Sequence, residues 1–219
     1  PRVFVTTRTR PGLFQVQVAW ADPAATNPVW VTRQPFPSDT SYSQPQLDID
    51  DRSFDAYYCY LVAARADGDG DDIWFTRSTD QGGTWSDAYA IGSLGGDGST
   101  NYVTPSISYG HGGIVHVAWT YREIAQGPLD HAVRYRRAID YASDPGDWQA
   151  GITAITSAGD GADDTLRDVQ ASLDDPTVIL GYTTTVGDPL RLRASDDGGA
   201  TWPATEAASL PWEGGLDLE

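Results

Sequence analysis

At 219 residues the chain is long enough for one substantial all-β domain with a core of its own. Its 14 basic residues, all arginine, stand against 31 acidic ones, and the net charge of −17 repels phosphate backbones and anionic membrane surfaces. Nucleic acid is thereby disfavoured as a partner, and with no apolar run near the roughly 18 residues that span a bilayer, membrane insertion is disfavoured too.

Other absences narrow the class further. There is no methionine, so the sequence reads as a processed or excised piece of a longer product. The preference for Asp and Arg over Lys fits a salt-adapted or high-GC organism, or Asp-rich turns that bind calcium, and the two are compatible. The single cysteine, Cys59, falls inside an alternating run and reads as a buried strand thiol. An internal disulfide is impossible, which suits a microbial secreted or cell-surface protein.

In chain order, the first strong signal is Val16-Gln17-Val18-Ala19-Trp20, followed by a strand at Val29–Arg33. Next come Pro45–Ile49, Tyr58–Val62 and Ile73–Arg77, then the eight residues Ser78–Trp85 (STDQGGTW). A third set follows: Pro105–Tyr109, Val115-His116-Val117-Ala118-Trp119 and Val133–Arg137. Behind it lies a decayed and expanded copy of the eight-residue pattern, from Ala138 to Trp148. The fourth set is Val169–Leu173, Val178–Tyr182 and Leu190–Ala194, closed by Ser195–Trp202 (SDDGGATW). An order of strands A, B, C, turn, D therefore recurs four times at roughly 55 residues, the size of a four-stranded propeller blade. The units are drawn at about 1–40, 41–98, 99–160 and 161–219. Together they form a single propeller domain or a propeller segment.

The pattern Ser-x-Asp-x-Gly-x-Thr-Trp has the chemistry of a tight turn. Asp80 and Asp197 can accept hydrogen bonds from turn amides, while Gly82 and Gly199 permit positive φ. The hydroxyls of Ser78, Thr84, Ser195 and Thr201 can tie down nearby backbone, and Trp85 and Trp202 can fold back as apolar anchors. This pattern resembles the Asp-box, or BNR repeat, of sialidase-like β-propellers. The resemblance implies an all-β propeller of four-stranded antiparallel blades, with the boxes as structural turns between the outer two strands. It covers nearly the whole chain and is strongest in the second and fourth units. Sialidase-like rings have six blades, so the rest of a ring is expected outside this chain; four blades closing alone, or two chains sharing one assembly, are the alternatives.

In such a blade the B–C loops and D–A links lie on the face where propellers bind ligands, and the boxes lie on the other. On the binding face falls the alternation Asp67, Asp69, Asp71, beside Gly95–Gly98 and Asp160–Asp164. Oxygen ligands at positions 1, 3 and 5 are those of a calcium loop, but no bidentate glutamate follows. A solvated acidic loop is the competing reading.

The resemblance also implies what catalysis would need: three arginines for a substrate carboxylate, a tyrosine nucleophile paired with glutamate, and an aspartate as acid/base. Candidates near the binding face are Arg65, Arg122 and Arg167, with Tyr121 and Glu123 flanking Arg122. The family's Arg-Ile-Pro signature is absent, Thr9-Arg10-Pro11 being its nearest counterpart, and the chain holds only four glutamates. Rim arginines paired with surface acids are the plainer reading. His111, His116 and His131 show no metal spacing, and His116 is expected to point outward from its strand. The sequence thus favours a non-catalytic, extracellular or cell-surface propeller module that binds a glycan or protein partner, or joins further blades. Part of a sialidase-like glycoside hydrolase is the alternative.

Overall fold

The computed structural model describes residues 3–9, 15–21, 26–27, 29–38, 41–50, 58–66, 71–93, 105–123, 130–155, 165–184, 189–204 and 206–210. It divides into two compact units, Pro1–Ile107 and Ser108–Glu219.

The first unit opens with β1 (Val3–Thr9), β2 (Gln15–Ala21) and β3 (Val31–Arg33), an antiparallel sheet in the order β1-β2-β3. Val16, Val18 and Trp20 of β2 alternate inward, as their spacing predicts. The structure adds β1, pairing Val3 with Ala21 through Thr9 with Gln15. No fourth strand joins this sheet among the described residues. The next sheet runs β4 (Ser41–Asp50), β5 (Tyr58–Ala66), β6 (Asp71–Ser78) and β7 (Tyr89–Ser93), in that spatial order. A bulge between Ser43 and Gln46 interrupts β4, with Gln44 at φ 52°. From Cys59 to Ala64 every residue of β5 is buried, the thiol of Cys59 included. Leu61 and Ala63 pack with Val16, Val18, Phe36 and Tyr42 into one core.

Another four-stranded sheet, in the order β11-β10-β9-β8, comprises β8 (Ser106–Gly110), β9 (Ile114–Glu123), β10 (Asp130–Ala138) and β11 (Ile152–Ile155). The last sheet is β12 (Thr165–Ala171), β13 (Val178–Thr183), β14 (Leu190–Ser195) and β15 (Ala208–Leu210). Within the second unit Ala118, Val133 and Tyr135 share a core with Leu166, Val169, Val178, Leu180 and Tyr182. Ser108 and Thr120 each receive a β12 amide on the hydroxyl, from Ala171 and Leu166 at 3.0 Å. The middle strand β9 is consequently buried from Val115 through Thr120 on both faces. That corrects the expectation for His116: it lies on the face shared with Ala118 and Thr120, and is only 1% exposed.

Among the described residues, all four sheets run in sequence order with each strand antiparallel to the next, the blade pattern expected from the repeat. The only helical pieces among the described residues are three 3₁₀ turns, His111–Gly113, Asp140–Ala142 and Pro145–Asp147.

Candidate functional site

The two Ser-x-Asp-x-Gly-x-Thr-Trp turns adopt one hydrogen-bond scheme. Ser78 donates its hydroxyl to Asp80 at 2.8 Å and receives the Gly82 amide at 2.8 Å. Asp80 receives the Thr84 amide at 2.7 Å and the Thr84 hydroxyl at 2.8 Å. In the second turn Ser195 donates to Asp197 at 2.7 Å and receives the Gly199 amide at 2.9 Å. Asp197 receives the Thr201 amide at 2.9 Å and hydroxyl at 2.6 Å. Gly82 and Gly199 stand at φ 80° and 78°, where an L side chain is strained.

These contacts set the charge of the turn. The hydroxyl and amide of Thr201 hold the Asp197 carboxyl down to about 2. Partial burial pushes Asp80 up, but the Thr84 and Ser78 hydrogen bonds outweigh it and leave Asp80 below the ordinary carboxylate value. Trp85 and Trp202 are half-buried rather than enclosed, each packed against the core of its own unit. Neither indole N–H has a hydrogen-bond partner among the described residues.

The decayed pattern keeps part of this scheme. Trp148 is buried and bridges Ala138. Gln149 donates its amide to the Arg137 carbonyl at 2.9 Å, just as Ser86 does to Arg77 at 2.8 Å. In the fourth repeat the corresponding residue is Pro203, which has no amide hydrogen to give.

Each intact turn is also gripped by an arginine from the third strand of the preceding sheet. Arg33 Nε donates to the Gly83 carbonyl at 3.1 Å. Arg137 Nη1 donates to the carbonyls of Gly198 at 2.7 Å and Asp197 at 3.1 Å. The second grip continues inward. Tyr135 sets its ring edge-on to Trp202 at 5.0 Å, and its hydroxyl lies 2.6 Å from His116 Nδ1 and 3.4 Å from the Gly198 carbonyl oxygen. Neutral His116 satisfies this in either tautomer: it donates to a hydroxyl that donates onward to Gly198, or it accepts from the hydroxyl. Burial, reinforced by the Arg137 charge, lowers the His116 pKa from 6.5 to about 3. Burial likewise raises the Tyr135 hydroxyl well above the usual phenol range, opposed by Arg137. This network escaped the sequence reading because its members are scattered over three separate segments, β9, β10 and the turn at 195–202.

The candidate catalytic and binding residues come out differently. Tyr121, Arg122 and Glu123 end β9, paired with Ala132, His131 and Asp130, and their side chains lie outside the described residues. The amide of Leu166 on the Thr120 hydroxyl brings the start of β12, with Arg167, beside the end of β9. Arg167 is exposed, and its Nε donates to Thr183 Oγ1 at 3.2 Å. Arg65, in the other unit, lays its guanidinium 4.5 Å from the centre of the Trp74 ring, a cation–π contact. Asp67 and Asp69 lie outside the described residues, as do Gly95–Gly98 and Asp160–Asp164; Asp71 begins β6. No group of three or more His, Cys, Asp or Glu able to hold a metal ion occurs among the described residues.

No protein-family model matches this chain, and no curated protein sequence does. Among solved structures it is similar to the high-resolution structure of Penicillium chrysogenum alpha-L-arabinanase complexed with arabinobiose. The identity is 12%, the TM-score 0.55, and the likeness takes in 94% of this chain. The chain spans 59% of that structure's length. At such identity the likeness concerns the fold, and it joins the sheet order and the near absence of helix among the described residues in giving the fold: an all-β propeller built of antiparallel blades.

Proposed function

We propose that this chain is an extracellular or cell-surface carbohydrate-binding propeller of the Asp-box kind, acting without hydrolysis. The observation that carries the reading is the fold likeness to a propeller bound to a disaccharide, together with two turns that share one Ser-Asp-Gly-Thr hydrogen-bond scheme. Folds alone do not assign function, so the chemistry of the residues decides between binding and cleavage. A sialidase needs convergent guanidinium groups for an anionic sugar. Here Arg65 covers Trp74 and Arg167 donates to Thr183, contacts that fit rim arginines. The net charge of −17 further favours uncharged sugars over sialosides and uronides.

The alternative, part of a sialidase-like glycoside hydrolase, rests on Tyr121 and Glu123 standing beside Arg122. Release of fluorophore from a fluorogenic sialoside separates the two. The binding reading expects none above background, and cleavage abolished by Tyr121→Phe would establish the hydrolase.

A further inference from the structure

In the second unit the decayed turn does something the two intact ones do not. Asp140, Tyr141 and Ala142 all adopt left-handed backbone, at φ 51°, 59° and 50°. Three consecutive non-glycine residues in this region are unfavourable, because each Cβ crowds its own carbonyl. The conformation buries Ala142 and sends the Tyr141 ring back over the turn joining β8 to β9. There it lies on the backbone of Gly113, where a Cβ would come within 2.9 Å of Tyr141 Cζ. Beneath it the buried Tyr109 ring runs nearly parallel, 19° apart with centres 6.2 Å away. Tyr141 nonetheless remains 37% exposed, and its neighbour Ile139 46%. Gly112, alongside, has open space where a side chain would stand. The result is an aromatic ring backed by Gly113 and Tyr109 that keeps about a third of its residue surface exposed.

We propose that Tyr141 is the stacking platform for one ring of a neutral saccharide. The C–H bonds on one face of a sugar ring carry slight positive charge and complement the negative face of an aromatic ring, while covering apolar surface. A ring fixed before binding loses little conformational freedom on contact, which is what the unfavourable backbone and the Tyr109 and Gly113 supports provide. The polar groups of the same turn suit hydroxyls rather than acids. Asp140, Asp144 and Asp147 stand in the same turn, with Ser143 donating to Asp147 at 2.8 Å. Carboxylates have further lone pairs to accept sugar hydroxyls, whereas a sialic or uronic acid would meet like charge.

This inference rests on the carbohydrate-binding reading and places its contact on the box side of the third blade. The test is calorimetric titration of the whole chain with cellohexaose, xylohexaose, mannohexaose and linear arabinohexaose, and with sialyllactose as the anionic comparator. We expect at least one neutral probe to bind, at least tenfold loss in Tyr141→Ala, and retention in Tyr141→Trp. In wild type the backbone amide resonances of Gly112 and Gly113 shift on addition of that probe, a readout that stands even where Tyr141→Ala misfolds. Equal binding by wild type and a folded Tyr141→Ala overturns the platform and leaves the carbohydrate reading intact. Preference for sialyllactose overturns the neutral class, and binding of none of the probes overturns both readings together.

Discussion

The Tyr135 hydroxyl occupies the place that a Cβ on residue 199 would need, so the third strand of one blade and the box of the next fit only around a glycine. The same glycine sits at φ 78°. Two independent demands, backbone sign and close approach, thus fall on Gly199, and the turn motif serves two sheets rather than one.

Replacing Gly199 by Ala should therefore be unusually damaging. The strain of positive φ alone costs about 1 kcal/mol, and the overlap with Tyr135 adds to it. We expect a loss of more than 2 kcal/mol in urea unfolding, partly restored by adding Tyr135→Phe, which removes the hydroxyl. A neutral Gly199→Ala would show that Tyr135 moves aside freely.

Acid should loosen the same junction through His116. A base whose pKa falls from 6.5 to about 3 on folding binds its proton more readily in the unfolded chain. Its contribution is complete above about pH 6.5 and declines as pH falls toward 3, by on the order of 4 kcal/mol across that window. Melting temperature measured from pH 7 to pH 4 should drop more steeply for wild type than for His116→Gln. Parallel curves would mean that His116 protonates without penalty.

Much of this architecture was legible beforehand because it rests on local repetition. The alternation of Val16, Val18 and Trp20, and the two boxes, reported strands and turns directly. His116 misled for a physical reason. Alternation marks opposite faces of a strand, and equating one face with solvent fails where a middle strand is covered on both. Strand β1 was missed since Val3-Phe4-Val5-Thr6-Thr7 lacks the Val-Ala-Trp ending that marked its neighbour. The grips of Arg33 and Arg137 on boxes dozens of residues away have no local signature at all.

Both box aspartates should matter to the same degree, as each receives two contacts from a threonine and one from a serine. Asp80→Ala and Asp197→Ala should each cost about 1–3 kcal/mol, leaving a turn amide unsatisfied. Denaturant midpoints unchanged within error for either would remove the box from the stability account.

Trp202 should be worth less than a fully enclosed indole. Half-buried, but edge-on to Tyr135 and packed on the second unit's core, it should cost about 2–3 kcal/mol on conversion to Ala. Trp202→Phe should recover more than half of that. A loss below 0.5 kcal/mol would show that the indole merely lies on the surface.

The claim of carbohydrate binding without cleavage is tested most directly by native electrophoresis of the chain through gels that contain a neutral polysaccharide. Separate gels of soluble arabinan, xylan, glucomannan and hydroxyethylcellulose, against a polysaccharide-free gel, give the comparison. The account predicts retarded migration in at least one of them, with the polysaccharide in the band undegraded after prolonged incubation. Unretarded migration in every gel, or a cleared zone of hydrolysed polysaccharide around the band, would contradict it.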